Sequence, residues 1–220
     1  MKIQLFNKDK YGNLEEVVPH IISNAYKDVF RALVKHSWGK NTRQDTITDC
    51  CFQPTNQDDF VAAFLKALQQ PIIKQEGLKF LELGAAMGNN LFLAQATLDY
   101  FKLYFEPMII QIVGIELDSR IVRVAEGFAN ITYGDMIDAP LGQFNIIHYF
   151  NSLGRANGKE QKLYDKLNAE MSKGSIFLST FSKYPDKKYW YQIEEFTSSC
   201  TSIFIRNSVR YEKEQKGRNK

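Results

Sequence analysis

The chain has 220 residues, of which 44% are hydrophobic and 24% charged, with a net charge of +3. That length holds one full α/β domain with its core and is short for two, and the composition excludes a disordered chain. The positive excess gathers in Arg210, Lys213, Lys216, Arg218 and Lys220, leaving the rest close to neutral. Such a basic tail suits phosphate contacts, but solvated charged termini are common, so nucleic acid is not indicated as a partner.

Cys50, Cys51 and Cys200 make neither a disulfide framework nor a C-x-x-C metal site, which predicts a reducing, cytoplasmic setting. His20 and His36 have no acidic or cysteine partners close in sequence, and no metal is expected. The opening segment Met1 to Lys10 is charged too early for a signal peptide. No window approaches the roughly 18 continuous apolar residues of a membrane span, so no membrane partner is expected.

Residues 1–77 read as a helical N-terminal extension, and residues 78–220 as the main domain. In the extension Val17, Ile21, Ala25, Val29 and Leu33 recur at helical spacing, and a polar run from Trp38 to Thr48 predicts a loop. Thr55-Asn56-Gln57-Asp58 announces a second helix, with an acid three residues after the cap, followed by Phe60, Val61, Phe64, Leu65 and Leu68. Pro71 closes it.

From Leu78 short apolar runs alternate with helical patterns, the rhythm of parallel strands joined by crossover helices. Strands are predicted at Lys79–Leu83, Ile109–Ile115, Ala129–Tyr133, Asn145–Phe150 and Ser175–Phe181, and helices at Asn89–Phe105, Ser119–Phe128 and Lys159–Met171. The first of these helices lines up Leu91, Ala94, Leu98, Phe101 and Phe105 as a stripe to cover a sheet. Two β-rich runs, Tyr189–Ser198 and Thr201–Arg210, predict an antiparallel hairpin at the sheet edge. The predicted fold is an α/β, Rossmann-like sheet with helices on both faces.

Lys79 to Asn90 runs from a strand through the small-residue turn Leu83-Gly84-Ala85-Ala86-Met87-Gly88 into a helix. Small residues let a ligand approach the backbone, and the helix start offers free N–H groups. The next strand ends in Ile115-Glu116-Leu117-Asp118, delivering a carboxylate that can accept both hydroxyl hydrogens of a ribose. The third ends in Tyr133-Gly134-Asp135-Met136, an acceptor beside a soft apolar side chain, as an adenine ring requires.

In this order of parts the chain resembles class I S-adenosylmethionine-dependent methyltransferases over roughly residues 78–210. The resemblance implies S-adenosyl-L-methionine as cofactor. It implies further that Glu82 and the turn, with Gly84, Ala86 and Gly88, hold the methionine part. Glu116, with Leu117 beside it, takes the ribose, while Asp135 and Met136 take the adenine. Ala86 stands where the family's second glycine is usual. Phe52-Gln53-Pro54-Thr55 looks like the F/Y-x-P-T/S entry of some class I methyltransferases, which implies that residues 1–77 also serve as a cofactor lid, with Thr55 closing over the methionine end. With the helical N-terminal region it leans toward the branch containing protein-lysine methyltransferases. The function implied is in-line methyl transfer.

Plainer roles stand beside these. Glu82 and Asp135 are also what a strand end and a Gly-Asp turn use to stabilise themselves, and Met136 is also core filling. Strand four is where an acceptor approaches in this fold, with Ile147, Tyr149 and Asn151 on one face and Ile146, His148 and Phe150 on the other. Asn151 and Tyr149 are its candidate catalytic residues. His148 reads as a core histidine with satisfied hydrogen bonds. Asn151-Ser152-Leu153-Gly154 stands in place of the Asp/Asn-Pro-Pro-Tyr of amino-group nucleic-acid methyltransferases, which favours a protein side chain or small molecule as acceptor. Two rivals remain open: a non-catalytic binding module of the same fold, and an NAD-dependent oxidoreductase, whose G-x-G-x-x-G the turn lacks.

Overall fold

A computed structural model describes residue 22 and residues 56–100, 110–150, 158–181, 185–196 and 200–207. Among them β1 (Leu78–Leu83), β2 (Ile110–Glu116), β3 (Ile131–Tyr133), β4 (Ile146–Phe150), β5 (Ile176–Thr180), β6 (Trp190–Phe196) and β7 (Thr201–Arg206) form one sheet. Its order is β3-β2-β1-β4-β5-β7-β6. The first five strands are parallel, while β7 runs antiparallel to both β5 and β6. The helices are α1 (Gln57–Leu68), α2 (Pro71–Glu76), α3 (Asn89–Tyr100), α4 (Ser119–Ala125) and α5 (Lys159–Glu170).

The pleat sorts side chains onto two faces, each closed by helices. Phe80, Ile146, Ile176, Leu178 and Ile203 share one cluster with Phe60 and Phe64 of α1, Ile72 and Ile73 of α2, and Leu91 and Ala94 of α3. Leu81, Leu83, Ile147, Tyr149, Phe177 and Phe204 form the other with Leu163, Tyr164 and Leu167 of α5. The rings of Phe60 and Phe64 stack at 6.0 Å and both meet Phe80 edge-on. The described part of the N-terminal region therefore shares the core of the sheet, and Ile22 belongs to the same cluster.

Local boundaries differ from the sequence pattern for identifiable reasons. Asn56, not Thr55, caps α1, its side-chain oxygen accepting from the Asp58 and Asp59 amides. Pro71 opens a further helix, α2, because its missing N–H costs nothing at a first helical position. β3 starts at Ile131 because the Ala129 amide still donates to Ala125 O at the exit of α4. In α3 the buried side is wider than a single stripe, taking in Asn90, Leu93 and Thr97 beside Leu91, Ala94 and Leu98. Phe101 and Phe105 lie outside the described residues, as do the loop at 38–48, the basic tail and, apart from Ile22, the helix at residues 17–33.

The hairpin is fastened to α5. Arg206 donates to the Asn168 carbonyl at 2.7 Å and covers the Tyr189 ring, while Trp190, buried, donates its indole N–H to the Asn168 side chain at 2.7 Å. No described helix is long and apolar enough to cross a membrane.

Asn145 is a residue whose role the sequence pattern hides inside a strand. Buried just before β4, it accepts from the Lys79 amide at 3.0 Å and donates to the Gly77 carbonyl at 2.8 Å, tying the start of β1 to β4. Asn145→Ala removes the partner of the buried Gly77 carbonyl and of the part-buried Lys79 amide. A loss of about 2 kcal/mol in urea unfolding is expected, whereas a change within error contradicts the clamp.

Candidate functional site

The carboxyl ends of β1, β2 and β3 lie side by side, because β1 pairs in register with β2 (Leu83 opposite Ile115) and β2 with β3 (Glu116 opposite Tyr133). The chain leaving β1 turns at once. The Gly84 and Ala85 amides both donate to the Ile115 carbonyl at 2.9 Å, and the Gly88 amide closes onto Ala85 O at 2.8 Å before α3 begins. Gly84, Ala86 and Gly88 all take positive φ, of 72, 48 and 78°. Gly88 is also short of space: a Cβ there would lie 2.6 Å from the Ala129 Cβ. Ala86 thus keeps the left-handed conformation that a glycine adopts freely.

Glu116 is clasped to this turn. Its Oε2 accepts the Ala86 N–H at 2.8 Å and its Oε1 accepts the Asp118 N–H at 3.0 Å. Asp118 then caps α4, accepting from the Arg120 amide at 2.9 Å. The Arg120 guanidinium hydrogen-bonded to it holds its carboxyl down at about 2. Leu117, between the two acids, is among the exposed large hydrophobic residues.

At the end of β3 the Gly134 amide donates to Glu116 O at 3.0 Å. Asp135 does form the turn: its Oδ1 accepts the Ile137 amide at 3.0 Å, and its Oδ2 lies 3.8 Å from Lys159 Nζ. Met136 is buried in the α5-side cluster.

Glu82 is 3% exposed. Its Oε1 accepts from Asn90 Nδ2 at 2.6 Å and lies 3.2 Å from His148 Nδ1 on the neighbouring strand. Its Oε2 is buried with no hydrogen-bond partner. His148 is accordingly a core histidine with both ring nitrogens engaged, Nε2 lying 3.2 Å from Thr180 Oγ1. The sequence alternation singled out His148 but gave no sign of its partners, which come from β1, α3 and β5.

Tyr149, expected near an acceptor, is fully buried among the α5-side residues, so its ring is core. Asn151 and Thr55 lie outside the described residues. No group of three or more His, Cys, Asp or Glu side chains suited to a metal occurs among the described residues.

No family model and no curated protein matches the sequence. Solved structures do match the fold. An RNA methyltransferase from Salinibacter ruber, in complex with S-adenosyl-L-homocysteine, superposes with a TM-score of 0.51 at 15% identity, over 71% of this chain and 96% of its own. The fold is that of class I methyltransferases. A Staphylococcus aureus structure provisionally assigned as a caffeoyl-CoA O-methyltransferase agrees, with a TM-score of 0.50 at 11% identity over 89% of this chain and all of its own (100%). In a sheet of this fold the antiparallel pair β6 and β7 is the hairpin expected at the far edge, with β7 against β5 and β6 outermost.

Ala86 carries a left-handed strain of about 1–2 kcal/mol, against a flexibility of about 0.4–1 kcal/mol that glycine adds to the unfolded chain. Ala86→Gly is therefore expected to raise stability by about 0.5–1 kcal/mol, read as a higher denaturation midpoint. A lower midpoint would show that the turn does not hold this conformation.

Proposed function

We propose that this chain is an S-adenosylmethionine-dependent methyltransferase that passes a methyl group in line to its acceptor. The observation that carries the proposal is the clasp between the Glu116 carboxylate and the Ala86 amide. It holds an acid against a tight turn at the carboxyl ends of adjacent parallel strands, where open α/β sheets bind their ligands.

The residues fit the cofactor. A carboxylate has about four lone-pair sites; the Ala86 and Asp118 amides take one on each oxygen, leaving one on each for two ribose hydroxyls. Leu117 offers apolar surface beside them, and Asp135 with Met136 closes the adenine end. The unpartnered Glu82 Oε2 suits the positively charged amino end, and the turn of Gly84, Ala86 and Gly88, with Thr55 ahead of α1, encloses the methionine part. Bound S-adenosylmethionine supplies an activated methyl on a positively charged sulfur.

The protein's contribution is then position. Aligning two bound reactants is worth about 7–11 kcal/mol of barrier, and no protein base is needed for an acceptor that arrives deprotonated. Asn151, at the end of β4, is the residue proposed to orient the acceptor. A protein side chain or small molecule is favoured over a nucleic-acid base, because Asn151-Ser152-Leu153-Gly154 replaces the Pro-Pro-Tyr grip.

Calorimetry tests the cofactor directly. S-adenosylmethionine is expected to bind the wild-type chain, and Glu116→Ala to weaken binding by about 10- to 100-fold, the equivalent of one or two hydrogen bonds to a charged group. Folded protein without measurable binding, or a Glu116→Ala variant with unchanged affinity, overturns the proposal.

A further inference from the structure

Beneath the turn lies a chain of buried polar side chains running across four strands. Glu82 on β1, His148 on β4, Thr180 on β5 and Thr201 on β7 are each 3% exposed or less. Glu82 and His148 are register partners, as are Thr180 and Thr201. The contacts run Glu82 Oε1 to His148 Nδ1 at 3.2 Å, His148 Nε2 to Thr180 Oγ1 at 3.2 Å, and Thr180 Oγ1 to Thr201 Oγ1 at 3.0 Å. Phe60 of α1 seals the histidine ring edge-on at 5.2 Å. A fold does not need such a chain in a sheet whose other buried side chains are mainly Ile, Leu and Phe. Burying polar groups costs free energy that only complete pairing recovers.

The pairing is complete except at one atom. An ionised carboxylate only accepts, so His148 Nδ1 carries a hydrogen toward Oε1. Nε2 of a neutral ring then accepts the Thr180 hydroxyl, whose oxygen in turn accepts from Thr201, and every hydrogen has a direction. Asn90 brings a second donor to the same Oε1, and its amide is itself met by Asn89 at 3.4 Å. Both donors converge on one oxygen. The other, Oε2, is left buried with no partner.

We propose that His148, backed by Thr180 and Thr201, acts with Asn90 as a positioning device. It locks the Glu82 carboxylate by Oε1 and so reserves Oε2 for the charged amino end of the cofactor. This rests on the reading of Glu82 as a cofactor contact. His148 touches no substrate in it; the ring acts through Glu82. Its effect is therefore confined to the amino-acid half of the ligand, which a merely structural role would not be.

The test compares two probes on the full chain: S-adenosylhomocysteine, and 5′-methylthioadenosine, which keeps the nucleoside and lacks the amino-acid end. His148→Leu is expected to weaken S-adenosylhomocysteine about tenfold, the loss of one hydrogen bond to a charged group, while 5′-methylthioadenosine changes less than about twofold. Thr180→Val, close to isosteric, guards against misfolding of the histidine variant. It is expected to give the same selective loss at smaller size, and to alter the long-range proton–nitrogen correlation that reports hydrogen on His148 Nδ1. If both probes weaken equally in the folded Thr180→Val variant, or neither weakens, the device is overturned while Glu116 and the cofactor reading stand. A wild-type chain that binds neither probe overturns both.

Discussion

Everything at the carboxyl edge depends on how closely the turn after β1 and the start of α3 lie on β2, and Gly114 sets that distance. A Cβ at Gly114 would lie 2.5 Å from the Ala85 Cβ and 2.8 Å from Leu91 Cδ1, so any side chain there would push the turn and α3 off the sheet. With the hydrogen in its place, Ile115 O receives two amides of the turn and Glu116 reaches the Ala86 N–H. The parallel register then does the rest. A slip of one residue would turn Glu116 to the other face, together with its neighbours.

The two acids so placed are held in opposite ways. Glu116 is part-buried and gripped by backbone amides, one on each oxygen, which fixes its plane while leaving acceptor capacity on both. Glu82 is buried and gripped by side chains on one oxygen alone. The first arrangement suits a neutral diol, the second a cation that arrives with its own hydrogens. Asp135 is different again, since its turn hydrogen bond and the nearby Lys159 already occupy it.

Much of this was legible in the sequence. The alternation of short apolar runs with helical patterns from β1 to β5, and the pair of β-rich runs at the end, predict the seven strands, because parallel strands joined by crossover helices repeat in that rhythm. The placement of Ile146 and His148 opposite Ile147 and Tyr149 follows from the same period of two. What the sequence could not show is partnership at a distance. Asn145 reads as a strand residue until Gly77 and Lys79 are seen against it, and His148 reads as an isolated histidine until Glu82 and Thr180 flank it. Tyr149 is a related case, its ring fully buried. Sequence gives its face, but only the packing of α5 shows that the face is closed.

Ala86 puts a side chain into the turn proposed to hold the cofactor. Its backbone keeps the left-handed bend and its amide still meets Glu116, so the geometry survives the substitution. The most direct measurement is a crystal structure of the full chain with S-adenosylhomocysteine. Ribose hydroxyls on Glu116 with the Ala86 contact retained, and the amino group on Glu82 Oε2, are the expected result. A ligand bound with its ribose away from Glu116, or an amino group that leaves Glu82 untouched, would contradict it.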